Sequence, residues 1–333
     1  MSVSRSFLII QTAFIGDVIL ATALIEKLNK FYSGANIDFL LRKGNEGLLV
    51  NHPHLRKVLI WDKKKGKIRN LFKLVLLVRA RKYDSVINIH RFASSGLITA
   101  FSGANNKIGF DKNPWSFAFT KKIKHDLGSN LHEVERNQKL IEPLTNELSV
   151  RPRLYPTQIN FDFVSKYKKG RYLCIAPSSV WFTKEFPASQ WVEFINTIKN
   201  QFENIYLIGA RSDKEVCNSI SIETSNEKVI NLAGELSFLE SAALMKDAEM
   251  NYVNDSAPMH LASAINAPVT AVFCSTVPAF GFGPLSDRSF IVQTPEQLSC
   301  RPCGLHGYKS CPEGHFKCAT SITTVSLQKC LVT

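Results

Sequence analysis

Asp255 and Ser256 stand between an apolar, β-branched stretch, Glu249–Val253, and a short alanine-rich segment with Leu261, Ala262, Ala264 and Ile265. The run Tyr252-Val253-Asn254-Asp255-Ser256-Ala257-Pro258-Met259-His260 reads as a strand feeding the start of a helix through polar residues. The N–H groups of a helix's first turn lack partners within the helix, and its dipole favours negative charge there. A phosphate is the natural guest at such a junction. Thr12–Asp17, following the apolar Phe7–Gln11, is a second junction of the same kind. Two such junctions point to an enzyme that handles a phosphate-bearing donor.

Gly16 permits close approach of backbone to a ligand. Asp17 can serve as a general base if its carboxylate faces a reacting hydroxyl, or it can cap the helix start, where acids are common. Spacing alone favours the cap. After a third apolar strand come Ser178, Ser179, Thr183 and Lys184. Hydroxyls that donate hydrogen bonds and an ammonium that offsets charge suit a diphosphate, although the Walker pattern is missing. Lys184 also reads as a solvated surface lysine. In Gly209–Glu215, Asp213 or Glu215 could accept hydrogen bonds from a ribose, while Ser212 and Glu215 have the spacing of a capping box. His260, beside Asp255 and Ser256, suits a phosphate or sugar contact, although a lone histidine is usually structural.

The elements that carry these residues alternate. Strand patterns at Phe7–Gln11, Ile37–Leu41, Val58–Trp61 and Ser85–Ile89 are interleaved with helical patterns at Asp17–Phe31 and Ile68–Arg81. The alternation runs on through Leu97–Phe101 and Ile108–Phe110 to a helix over Leu131–Leu144. Periodicity weakens from Asn146 to Gly170, with Pro152 and Pro156 marking a boundary. It restarts with strands at Tyr172–Ala176, Asn204–Ile208, Lys228–Leu232, Glu249–Val253 and Val269–Phe273. The helices between them fall at Ala188–Asn200, Asp213–Ile220, Ser237–Lys246 and Met259–Ile265, with a last one at Ile322–Cys330. This is an α/β chain of two doubly wound, Rossmann-like domains, 1–160 and 161–333. In such sheets ligands sit beyond the carboxyl ends of the strands, so all four motifs are expected to line one central cleft.

The 333 residues carry a formal net charge of +13, which fits nucleic acid, an anionic membrane surface or a phosphorylated substrate. Basic clusters fall at Lys63–Lys67, Arg79–Lys82 and Lys121–Lys124, and no zinc-finger or RNA-binding signature accompanies them. Ile68–Arg81 sets Leu71, Leu74, Val75 and Val78 against Arg69, Lys73 and Arg79. Such a helix either lies on a membrane surface or packs on a core with its basic face wet. No apolar run is long enough to span a bilayer and no signal-peptide pattern opens the chain, so a cytoplasmic protein is expected. Cys174, Cys217 and Cys274 read as buried thiols. Cys300, Cys303, Cys311 and Cys318 form C-x2-C-x7-C-x6-C, a set that could hold a structural zinc, although a zinc ribbon has two C-x2-C pairs.

Ile15-Gly16-Asp17-Val18, Ser178–Pro187 and Asn254-Asp255-Ser256-x-Pro258-Met259-His260 together resemble the three signature regions of glycosyltransferase family 9, which contains the ADP-heptose:lipopolysaccharide heptosyltransferases. The form of the last motif is similar to the heptosyltransferase II branch. His132-Glu133-x-x-Arg136-Asn137 and the Cys-rich tail also resemble members of the group. The resemblance implies a B-type glycosyltransferase fold, acceptor on the N-terminal domain, nucleotide sugar on the C-terminal domain, and inverting transfer without a catalytic metal. It implies Asp17 as the base, Ser178, Ser179 and Lys184 on the diphosphate, and Asp255 on the sugar. Ser256 and Ala257 would offer backbone N–H groups, His260 would lie near the phosphates, and Asp213 and Glu215 near the nucleoside. Thr12 joins the substrate-binding set. One departure is Ala257, where the family has glycine; a left-handed backbone there would distort the phosphate cradle.

The expected reaction is direct displacement of ADP from ADP-heptose by a hydroxyl of an acidic inner-core glycolipid at the cytoplasmic face of the inner membrane. The rival readings are transfer of another sugar, and a non-catalytic glycan- or nucleic-acid-binding protein on the same scaffold.

Overall fold

The computed structural model describes residues 5–64, 66–126, 128 and 130–332. Met1–Ser4 and Lys65 of the first basic cluster lie outside them. Contacts divide the chain into two compact units, Met1–Tyr155 and Pro156–Thr333.

The first unit runs β1 (Ser6–Ile10), α1 (Ile15–Phe31), β2 (Asn36–Arg42), β3 (Lys57–Trp61), α2 (Lys67–Ala80), β4 (Ser85–Asn88), α3 (Ala93–Ala100), β5 (Asn106–Phe110), β6 (Lys121–Ile123) and α4 (Glu133–Gln138). Its strands form one parallel sheet in the order β3-β2-β1-β4-β5-β6. Helices cover both faces of such a sheet, so its strands read as continuous apolar runs; Phe7, Leu8, Ile9 and Ile10 are all fully buried. The helix expected over Leu131–Leu144 is shorter. It closes at Gln138, and Glu142–Leu144 forms a separate 3₁₀ turn around Pro143, because proline cannot continue an α-helix interior.

The second unit runs α5 (Gln158–Val164), β7 (Tyr172–Ala176), α6 (Ala188–Ile198), β8 (Asn204–Leu207), α7 (Lys214–Glu223), β9 (Val229–Asn231), α8 (Phe238–Lys246), β10 (Met250–Asn254), α9 (Ala257–Ala264), β11 (Val269–Phe273), β12 (Ser289–Gln293), α10 (Lys317–Thr320) and α11 (Thr324–Val332). The sheet order is β12-β11-β10-β7-β8-β9, again parallel throughout. The capping box at the start of α8 forms as expected, with Ser237 Oγ accepting from the Glu240 N–H and Glu240 Oε2 accepting from the Ser237 N–H. Trp191, Phe194, Ile195 and Ile198 of α6 form its buried stripe. The hydroxyl of Tyr252 in β10 donates to the carbonyl of Leu327, tying α11 beneath the sheet.

Each sheet has one place where strand order reverses, between β1 and β4 in the first and between β7 and β10 in the second. Neighbouring crossovers leave in opposite directions there, opening a crevice at the carboxyl ends. Thr12 follows β1, Ser178 follows β7 and Asp255 follows β10.

Candidate functional site

In the second unit the side chain of Asn254, fully buried at the end of β10, joins two loops. Its Nδ2 donates to the Pro177 carbonyl at 2.7 Å and its Oδ1 accepts from the Phe186 N–H at 3.0 Å. The segment Pro177–Phe186 is thereby held across the reversal point. Within it, the Ser179 N–H donates to Glu185 Oε1, and burial pushes the Glu185 carboxyl up. The Ser178 hydroxyl oxygen is buried and has no hydrogen-bond partner among the described residues. A buried hydroxyl in that state costs free energy unless a ligand or water meets it.

Lys184 closes the 3₁₀ turn Phe182–Lys184. Its Nζ lies 2.7 Å from Asp255 Oδ2, and both side chains are largely shielded. Thr276 Oγ1 donates to the same carboxylate oxygen at 2.6 Å. Lys184 is therefore a paired group inside the site rather than a solvated surface lysine. Ser256 is the extended N-cap of α9, and Ala257 and Pro258 begin the helix. Ala257 has no left-handed backbone, so the alanine leaves the helix N-terminus intact. His260 is buried one turn on, with its ring 6.4 Å from that of Phe282.

Asp213 lies within electrostatic reach of the neighbouring Glu185, whose carboxyl it helps to raise after burial. The expected Ser212–Glu215 box gives way to a different one: Asp213 Oδ2 accepts the Ala210 N–H at 2.7 Å, and Ser212 donates to Asp213. The acid three residues after the extended Ala210 reaches back to its amide more directly than Glu215 can. Glu215 is exposed.

The thiols of the Cys-rich stretch lie within electrostatic reach of one another: burial, then Cys303, Cys311 and Cys300, raise the Cys318 thiol, and Cys300 Sγ lies 3.8 Å from His315 Nε2. Among the described residues no group of three or more His, Cys, Asp or Glu side chains is arranged to hold a metal ion. Cys318 is buried on α10, and the Cys303 thiol donates to the Cys300 carbonyl. The stretch also straps the Lys184 turn. The Tyr308 N–H donates to Thr183 Oγ1 at 2.8 Å, and the Thr183 N–H donates to the Tyr308 carbonyl at 3.1 Å. Gly307, at φ +76°, comes so close that a Cβ would lie 2.8 Å from Thr183 Oγ1. Arg301 donates to the carbonyls of Phe273, Cys274 and Thr276 and to Gln293 Oε1. Arg301, Gly307 and Tyr308 were not legible in the sequence, because each acts chiefly through partners distant in the chain.

In the first unit Asp17 is the third residue of α1, and its Oδ2 accepts the Phe14 N–H at 3.1 Å. Gly16 precedes it in the same helical turn. The capping role that spacing favoured is thus present. Beside it lies a feature seen only as part of a family pattern: Glu133 and Arg136 form a buried pair at 2.9 Å on α4, which packs on α1. Burial pushes the Glu133 carboxyl up, Arg136 opposes this, and Asp17 reinforces it.

Thr12 is buried and engaged on both sides. Its hydroxyl meets His90 Nδ1 at 3.0 Å, and Lys63 Nζ donates to its carbonyl and hydroxyl oxygens at 2.8 and 3.1 Å. Burial, then Lys63, Arg91 and Arg42, hold His90 down at about 4. Burial, then Arg42 and Lys67, hold Lys63 down at about 8. Arg91, Phe92, Lys112 and His125 line a cavity of about 420 Å³ in this unit. His125 is likewise lowered to about 4 by burial and by Arg91 and Arg136. The sequence singled out Thr12, and Lys63 and Lys67 only as part of a basic cluster; it missed Arg42 at the end of β2 and Arg91 and Lys112 in two later loops.

The family model described as glycosyltransferase family 9 (heptosyltransferase) matches residues 71–309. That stretch contains Ser178–Lys184 and Asn254–His260 but not Thr12–Asp17. Lipopolysaccharide heptosyltransferase 3 of Escherichia coli is 28% identical over 283 residues, covering 79% of this chain and 82% of its own length. Lipopolysaccharide heptosyltransferase 2 of E. coli K12 is 23% identical over 312 residues, covering 86% and 87%. The solved structure of E. coli ADP-heptose lipopolysaccharide heptosyltransferase II superposes with a TM-score of 0.81 at 19% identity, covering 98% of this chain and 99% of that one. With the family model spanning well over half of its length, the chain belongs to glycosyltransferase family 9 and is a glycosyltransferase.

Proposed function

We propose that this enzyme transfers heptose from ADP-heptose to an acidic inner-core acceptor of lipopolysaccharide, with inversion and without a catalytic metal. The observation that carries the reading is the second unit's reversal point. There a shielded Lys184–Asp255 pair, a buried Ser178 hydroxyl without a protein partner and the N-terminus of α9 occur together in a member of family 9. Pyrophosphate suits this set. The Ser178 and Ser179 hydroxyls and the Ser256 and Ala257 amides would donate to phosphate oxygens, and Lys184 and His260 would offset the charge that grows on ADP as it leaves. Asp255, oriented by Thr276, would hold the sugar. Asp213 and Glu215 would serve the nucleoside end.

Asp17 would take the proton from the attacking hydroxyl. Its bond to the Phe14 amide supports this role by fixing the carboxylate's direction. The cations gathered around Thr12, including the Arg91–Lys112 cavity, would bind the acceptor's acidic groups. The names of the relatives support heptose and lipopolysaccharide as donor sugar and acceptor class.

Calorimetry with ADP-heptose, ADP-glucose and UDP-glucose tests the donor. Binding restricted to ADP-heptose is expected; equal binding of ADP-glucose, or none of any, would remove the heptose assignment.

A further inference from the structure

The first unit turns an apolar surface outward where an ordinary amphipathic helix would be polar. On α2 the inward stripe is as expected, with Leu74 and Val78 buried and Leu71 and Val75 packed against the same core. The opposite face is not simply a wet basic one. Ile68, Phe72 and Leu76 follow one another at four-residue spacing and are 70%, 59% and 67% exposed. Residues four apart lie along one side of a helix. The helix α6, by contrast, exposes no large hydrophobic residue.

Charge tells what covers this face. From Lys63 to Tyr83 the chain has nine Lys and Arg residues and no Asp or Glu. Lys67, Arg69, Lys73 and Arg79 are exposed on α2 itself. The face extends beyond the helix. Gly103, in the loop after α3, lies against the Arg79 side chain, and α3 packs on α2. Phe101 in that loop meets Trp115, and Trp115 meets Phe117, each pair with centroids 5.7 Å apart. Phe117 is 74% exposed. Nucleic acid would match the cations alone, and a protein partner would need a ring of carboxylates around an apolar centre. Large aliphatic and aromatic side chains rimmed mainly by Lys and Arg match a surface that is anionic at its headgroups and apolar just beneath.

We propose that this face, α2 together with the Phe101–Trp115–Phe117 cluster, seats the enzyme on an anionic phospholipid bilayer, with Ile68, Phe72 and Leu76 entering the headgroup boundary. No described helix is long and apolar enough to cross a membrane, so the contact is peripheral. The inference extends the proposed use of a lipid-linked acceptor by naming the surface that reaches it.

The test is flotation of the full chain with phosphatidylcholine vesicles and with vesicles containing about 30 mol% phosphatidylglycerol, at low and high salt. Binding to the anionic vesicles alone is expected. F72S/L76S should weaken it about tenfold or more, and R69E/K73E should abolish it. These side chains are exposed, so melting temperature and ADP binding should not change, and transfer to a water-soluble, lipid-free acceptor should persist. Undiminished vesicle binding by F72S/L76S overturns the proposal, as does loss of a dimer in that variant with no effect on lipid, or binding to DNA in place of vesicles. Vesicle binding that responds as expected, with no transfer to any acceptor, would leave the docking face standing and remove the acceptor reading.

Discussion

Thr12 and Asp255 each lie just past a strand at the point where the order of a six-stranded parallel sheet reverses. Their surroundings differ in charge balance. Around Asp255 the protein supplies both signs, with Lys184 at 2.7 Å and Thr276 behind it. Around Thr12 it supplies cations: burial, then Arg42 and Lys67, lower Lys63, and burial, then Lys63, Arg91 and Arg42, keep His90 neutral. One topology thus hosts a charge-balanced crevice and an unbalanced one. The balanced one holds its shape before a ligand arrives. The unbalanced one gains most when an anion enters, because repulsion already present is relieved.

The largest expected effect concerns neither set of cations. Asp17→Asn should lower transfer by ~10²–10⁴ while leaving ADP-heptose affinity unchanged. Single-turnover rates and calorimetry on the same preparation check this, and near-normal turnover would remove Asp17 as the base. Next, Lys184→Ala leaves the Asp255 carboxylate shielded and without its cation, which should cost about 3 kcal/mol of stability and weaken ADP binding. Lys63→Met, which removes a repelled charge, should cost less than ~1 kcal/mol by urea denaturation. Equal losses from the two would erase the contrast between the crevices.

A smaller effect is expected at Gly307. Ala there meets Thr183 and a positive φ, so Gly307→Ala should cost about 1–2 kcal/mol and raise the Kd for ADP through the Lys184 turn. An unchanged Kd would detach the strap from the site. The mildest test is pH. His52, His90 and His125, all in the first unit, are held at about 4 against an unfolded value near 6.5. Between these values the unfolded chain binds more protons, so stability falls as pH drops from about 6.5 toward 4. Hydrogen exchange resolved by peptide should show the first unit opening before the second; acid opening of both together would contradict it.

The doubly wound architecture was legible because parallel strands buried on both faces read as apolar runs, and β7 and β11 match their expected bounds residue for residue. Short edges escaped notice. Lys121–Ile123 reads as a cationic cluster, yet it pairs with Ile108–Phe110 as an edge strand, where lysines discourage further pairing. Lys184, Asp255 and Ser178 were legible because each follows a strand. The partner choices were not: Asp213 accepts the Ala210 amide where spacing offered a box between Ser212 and Glu215, and the Cys-rich stretch also forms a strap through the backbone of residues 303–308 and the Arg301 guanidinium.

That strap has a consequence for synthesis. Thr183 leaves the ribosome more than a hundred residues before Tyr308, so until the later segment arrives the Pro177–Phe186 loop is held by Asn254 without the second grip on Thr183. A nascent or truncated chain ending before Arg301 would carry every proposed donor-contacting residue and still bind nucleotide poorly, which makes nucleotide affinity a readout of completed translation rather than of the second sheet alone.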